Sequence, residues 1–150
     1  MLFRSGAQQD EGSFAGPSAT ADGMIPVGDW HHVAYGESTF IAPKPGDPDV
    51  TFGAGYFSIF LSYDLKTGQD RDASPWPDYL EGSSSGEQKY RFGWTHPVLF
   101  SPDDPKELLI GSQFVLRSDD YGRTWSEISP DLTRNDPTTE QPSDAQCTRI

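Results

Sequence analysis

The chain repeats itself, and an internal repeat limits the possible folds more than any single motif. Phe100-Ser101-Pro102-Asp103-Asp104-Pro105 stands beside Ile41-Ala42-Pro43-Lys44-Pro45-Gly46-Asp47-Pro48: an apolar residue, a small residue, Pro, a polar spacer, then Asp-Pro. Asp49 to Gly55 then aligns without a gap on Lys106 to Ser112. Beyond it Phe57 falls on Phe114, Ser62 on Ser118, Asp64 on Asp120, Gly68 on Gly122 after a two-residue insertion, and Ser74-Pro75 on Ser129-Pro130. One unit spans residues 36–77 and another residues 93–133. Each reads as four short β runs, A to D, separated by turn signals. In the later unit they are Pro97–Ser101, Glu107–Gly111, Phe114–Ser118 and Thr124–Ser129. Residues 1–35 keep runs B to D of a preceding unit, as Leu2–Ala7, Ser13–Gly16 and Trp30–Ala34. Residues 78–92, which include the run Ser83-Ser84-Ser85, read as a flexible insertion, and residues 134–150 as a loop toward a further unit. Four strands in roughly 40–45 residues is the period of a propeller blade. The expected fold is all-β: a partial β-propeller of four-stranded antiparallel blades.

Composition agrees. A formal charge of −12 excludes the basic footprint a nucleic-acid binder needs and disfavours docking on an anionic membrane. The high charge would suit a disordered chain, but 13% aromatic residues are too many for a solvated tail. With 15 Gly and 13 Pro, turns are frequent and long helices are disfavoured. The most apolar stretch, Tyr56 to Leu61, is far short of the roughly 20 residues that cross a bilayer as a helix, so no membrane insertion is expected. The first residues reach polar Gln8-Gln9-Asp10 before an apolar signal segment can form. Cys147 is the only cysteine, which rules out an internal disulfide or a thiolate zinc site.

The sharpest local signal is Ser118-Asp119-Asp120-Tyr121-Gly122-Arg123-Thr124-Trp125. It reads as the turn between runs C and D. Gly122 supplies positive φ, Asp120 accepts bonds from the turn's own amides, Thr124 opens a strand and Trp125 is free to wedge between neighbouring blades. Asp119 and Asp120 lack the alternating oxygen ligands of a calcium loop. Ser62-Tyr63-Asp64-Leu65-Lys66-Thr67-Gly68 is a degraded copy. The intact version matches Ser-x-Asp-x-Gly-x-Thr-Trp, and so resembles the Asp box of bacterial-neuraminidase (BNR) repeats, with Ser118, Asp120, Gly122, Thr124 and Trp125 as its structural residues. Gln8 to Ser13, Ala15 to Ser18, Gly28-Asp29-Trp30, Gly36-Glu37-Ser38, Tyr90 to Thr95 and Ile128 to Asp136 are similar to text in large bacterial BNR/Asp-box proteins. These are described as glycosyl-hydrolase-like with a sortilin-like propeller. The resemblance covers nearly the whole chain, the poly-Ser insertion excepted. It implies an internal fragment of a longer, extracellular or periplasmic protein whose remaining blades complete the ring. It implies a scaffold rather than a reaction.

No complete catalytic set is legible. A sialidase needs an arginine triad, a Tyr–Glu nucleophile pair and an acid; the seven arginines show no such spacing, and Met24-Ile25-Pro26 lacks the arginine of the family's Arg-Ile-Pro segment. A carboxylate-pair glycosidase needs two acids set across one bond, and 23 acids do not single out two. Asp29, Glu37 and Asp64 can be named, Glu37 as the weak catalytic candidate. His31 and His32 alternate to opposite faces of a strand and cannot share a metal. No metal or other cofactor is expected. Topology does identify a face: D-to-A and B-to-C connections leave a blade on one side, A-to-B turns and Asp boxes on the other. The first side gathers the candidate ligand residues Gln9, Asp10, Glu37, Tyr56, Arg91, Trp94 and His96, with Gln8 and Tyr90 nearby. Aromatics beside polar groups suit a carbohydrate or a peptide ligand, while packing of Tyr90, Phe92 and Trp94 between blades is the structural alternative. The expected function is a ligand-binding scaffold. A glycoside hydrolase with acids outside these residues, or an assembly propeller like photosystem stability factors, are the rivals.

Overall fold

A computed structural model describes residues 3–34, 40–55, 58–76 and 84–140. Eleven strands form three antiparallel sheets among them. The first sheet is β1 (Phe3–Gln8), β2 (Gly12–Pro17) and β3 (His31–Ala34), in that spatial order. The second is β4 (Ile41–Lys44), β5 (Asp47–Ala54), β6 (Phe60–Asp64) and β7 (Gln69–Asp72). The third is β8 (Val98–Phe100), β9 (Leu108–Gly111), β10 (Val115–Ser118) and β11 (Ser126–Glu127). Every strand pairs with its chain neighbours, so each sheet is a simple meander. Among the described residues two short 3-10 turns, Val27–Asp29 and Ser85–Glu87, interrupt the β structure. Among the described residues no helix is long and apolar enough to cross a membrane.

The second and third sheets repeat their hydrogen bonds as well as their strand order. Ser74 Oγ accepts from the Phe60 N–H at 3.0 Å, and Ser129 Oγ from the Val115 N–H at 2.8 Å. Ala73 N–H donates to Phe60 O as Ile128 N–H donates to Val115 O. Gly55 and Ser112 each close the loop before the third strand with a 2.8 Å backbone bond. These bonds correct the alignment. Phe60 matches Val115, and Leu61 pairs with Asp72 as Leu116 pairs with Glu127. Ser62 therefore corresponds to Arg117, one residue away from the expected Ser118. The third-to-fourth-strand turns have equal length; the two extra residues sit in the preceding loop, 55–59 against 112–114.

The core lies between the second and third sheets. Alternation along each strand sends Ala42, Phe52, Ala54 and Phe60 to one side, where they meet Val98, Leu108, Ile110 and Leu116. Phe52, Phe60, Leu108, Ile110 and Leu116 are all buried. Phe52 meets Phe100 edge-on at 5.5 Å, a geometry aromatic quadrupoles favour. The opposite side of the second sheet faces the first, where the Thr51 hydroxyl donates to Val33 O. The outer side of the first sheet stays open. Trp30 lies there on Gly16, so closely that a Cβ at Gly16 would sit 2.8 Å from the indole; only glycine fits.

Residues 84–92 are not the loose insertion expected. Ser84 and Glu87 form a capping box, Gly86 N–H donates to Glu140 O, and Tyr90 is buried in the core with its hydroxyl 3.1 Å from Glu127. Tyr90 also meets Phe114 edge-on at 6.3 Å. Alternative packing of the aromatic run thus accounts for Tyr90. Gly36, Glu37, Tyr56, Phe57, residues 77–83 and Cys147 lie outside the described residues.

Candidate functional site

The turn from β10 to β11 is built around one carboxylate. Asp120 Oδ1 accepts from the Ser118 hydroxyl at 2.8 Å and from the Arg123 and Thr124 amides, both at 2.9 Å. Its Oδ2 accepts from the Thr124 hydroxyl at 2.7 Å. Ser118 Oγ in turn accepts from the Gly122 N–H at 2.8 Å. Desolvation works to raise the Asp120 pKa, but the bonds from Thr124, Ser118 and Arg123 outweigh it and hold the value at about 2. Gly122 takes φ +77°, as the motif requires, and Tyr121 before it also lies in the left-handed region at +60°. A Cβ at Gly122 would approach Ala73 Cβ to 2.9 Å, so the turn leans directly on the second sheet. Trp125 completes that contact: its Nε1–H donates to Ala73 O at 2.9 Å, and its ring meets Phe60 edge-on at 5.7 Å. In the degraded copy Asp64 Oδ1 still accepts from the Lys66 and Thr67 amides, at 2.8 and 3.3 Å.

The segment entering the third sheet sits at the other end, beside the β9–β10 loop. Gln113, buried in that loop, accepts the Arg91 N–H on Oε1 at 2.7 Å and donates Nε2–H to Lys89 O at 3.0 Å. Its own N–H donates to Arg91 O, and its carbonyl accepts from the Leu132 N–H. The Arg91 guanidinium reaches the segment that follows β11: Nη2 is 2.9 Å from both Asp131 Oδ2 and Thr133 Oγ1, and Nε is 3.4 Å from Glu140 Oε1. Asp131 is itself held by Thr133, whose hydroxyl and amide keep its carboxyl below the ordinary carboxylate value, with Arg91 adding to the effect. Arg91 is thus a clasp joining three chain segments, where sequence reasoning counted it among the candidate ligand residues.

His96, expected near an open rim, is buried. It packs on Phe92 at 4.7 Å, and Nδ1 lies 3.4 Å from Gly93 O. Nε2 has no hydrogen-bond partner among the described residues. Burial drives its pKa down to about 4, so the ring is neutral at ordinary pH. Trp94 is half-exposed. Gln9 and Asp10 are exposed in the β1–β2 turn of a different sheet, Asp10 at φ +67°.

No family model, curated protein or solved structure matches the chain.

Among the described residues no group of three His, Cys, Asp or Glu is placed to hold a metal. His31 lines the cleft toward the second sheet, whereas His32 meets the Phe14 ring at a tilt, 4.7 Å between centroids. Sequence reasoning missed Gln113, although the repeat sets it opposite Tyr56, a residue it did select. It also missed Asp131, Thr133 and Glu140, whose partnership with Arg91 spans 40 or more residues and leaves no local pattern.

Proposed function

We propose that the chain belongs to a BNR/Asp-box β-propeller and serves as a ligand-binding scaffold in a larger exported protein. The three meanders act as consecutive blades, and the Asp box is a structural staple. The observation that carries this reading is the β10–β11 turn: its Asp120 network orders the hairpin, and its Trp125 bonds to the adjoining sheet at Ala73, as a blade-to-blade contact requires. The ligand, a carbohydrate or a peptide, binds at the end opposite the Asp box. There Trp94 offers stacking area on a segment that Arg91 and Gln113 hold in place. A screen of the protein against immobilised glycans and peptides tests this. Trp94→Ala is expected to weaken the ligand found by about 1–3 kcal/mol, the size of an interface hot spot. Undiminished binding in that variant returns Trp94 to a packing role.

A further inference from the structure

The first sheet departs from the other two in the connection that leads to its last strand. The second and third sheets make this turn within residues 65–68 and 119–125, whereas the first uses residues 18–30. Four large apolar side chains, Met24, Ile25, Val27 and Trp30, lie exposed on that loop, Met24 at 76% and Val27 at 88%. The loop is held by its own hydrogen bonds. The Thr20 hydroxyl donates to Met24 O, and Gly23 N–H to Thr20 O at 3.3 Å. The Asp29 and Trp30 amides donate to Pro26 O and Val27 O at 3.0 and 3.1 Å. An apolar cluster displayed on a preset loop marks a contact surface.

A groove lies beside the loop on the outer side of the same sheet. Arg4, Gly6 and Gln8 alternate onto this side of β1 and stand opposite Gly16, Phe14 and Gly12 of β2. Trp30 covers Gly16, whereas a Cβ at Gly6 would meet no atom within 4 Å, so the floor between Arg4 and Gln8 is open. The groove holds about 410 Å³, with Phe14 and Trp30 in its lining and no carboxylate. Arg4 is the only Lys or Arg before Lys44, and its side chain makes no hydrogen bond or ion pair among the described residues. The Asp22 and Asp29 carboxylates on the loop are likewise without an ion pair there.

One surface thus carries an apolar tip with unpaired acids and an aromatic groove with an unpaired cation. The two halves adjoin, because Arg4 stands opposite Gly16, the residue under Trp30, where the loop rejoins the sheet. We infer that two copies of the chain meet here about a two-fold axis. Each seats Met24, Ile25 and Val27 in the other's groove beside Phe14 and Trp30, with Arg4 facing the other's Asp22 and Asp29. A two-fold contact requires one patch that is complementary to itself, and this patch holds both halves. The contact uses no residue of the Trp94 surface, so either proposal can fail without the other.

The test is sedimentation velocity on the full chain at one salt concentration. A Leu99→Lys background keeps the exposed leucine of the third sheet out of any contact. Arg4→Glu and the double variant Asp22→Lys/Asp29→Lys are run alone and mixed one to one. All three positions are exposed, and thermal melting checks that the proteins are equally folded. The parent is expected to form a dimer, and each variant alone to weaken it about tenfold or more, because like charges then face each other at both ends of the contact. The mixture is expected to restore a heterodimer: the reversed charges of one variant meet those of the other, and the native groups meet native groups. Val27→Asp is expected to weaken the dimer as well, and Trp94→Ala to leave it unchanged. A monomeric parent, a parent that grows beyond the dimer, variants that dimerise like the parent, or a mixture that stays monomeric would each overturn the assignment.

Discussion

At the scale of single residues, two side chains each lose stabilisation as pH falls, in different windows. Asp120 has a folded pKa of about 2 against an ordinary 3.8, so its contribution is complete above about pH 4 and is lost as pH falls through 2. His96 has a folded pKa of about 4 against 6.5. The unfolded chain therefore takes up its proton first as pH falls, and stability drops between about pH 6.5 and 4, by up to roughly 3 kcal/mol, then levels off. His96→Phe is expected to flatten urea-unfolding stability across that window; a slope unchanged from wild type would show that His96 is not its source. Asp120→Ala removes the acceptor of four donors and is expected to cost about 1–2 kcal/mol by the same measurement, the scale of a lost cap. Because Asp120 lies at the end opposite Trp94, ligand affinity at the Trp94 surface should not change.

At the scale of elements, what could be read from the sequence was what the backbone must do locally. The strands of the first and third sheets fall within a residue or two of their expected runs, because turn residues and short apolar runs mark them independently. The Ser118–Trp125 turn was legible down to the left-handed glycine. The alignment of Ser62 with Ser118 was one residue out because it matched side-chain types, whereas register is set by pairing bonds; a one-residue slip exchanges the two faces of a strand. Arg91 was legible as a special residue but not as a clasp, since its partners are distant in the chain. The Ser84–Tyr90 segment looked loose because Ser and Gly dominate it, yet one buried tyrosine and one capping box tie it down. Trp125 is where elements of different sheets meet. Trp125→Phe keeps the ring against Phe60 and loses the bond to Ala73, so it is expected to cost about 1 kcal/mol. Trp125→Ala also loses the ring and should cost clearly more, toward the roughly 3 kcal/mol of large-to-small changes. Equal losses in chemical denaturation would mean that the hydrogen bond, not the ring, joins the sheets.

At the scale of the whole molecule, three meanders stacked in sequence leave two terminal faces. The middle sheet is covered on both sides, but the outer side of the first sheet carries half-exposed Trp30, and that of the third carries Leu99, 46% exposed between buried Val98 and partly buried Phe100. Ile128 and Leu132, past the opposite edge strand β11, are exposed as well. Meander edges add unpaired backbone groups, which invite pairing with another chain. A repeat array gains stability from each neighbour that covers such a face, so these surfaces favour association with further sheets of the same kind. The net charge of −12 opposes that association, and salt screens the opposition. The 150-residue chain is therefore expected to self-associate with rising concentration, and more strongly at high salt than at low. Leu99→Lys places a charge on β8, at the edge of the third sheet's outer face, without touching the core, and should shift association to higher concentration while leaving the melting temperature of the dilute protein in place. Sedimentation velocity across a concentration series reads both effects. A monomer at every concentration and salt would show that the two terminal faces do not require a covering sheet.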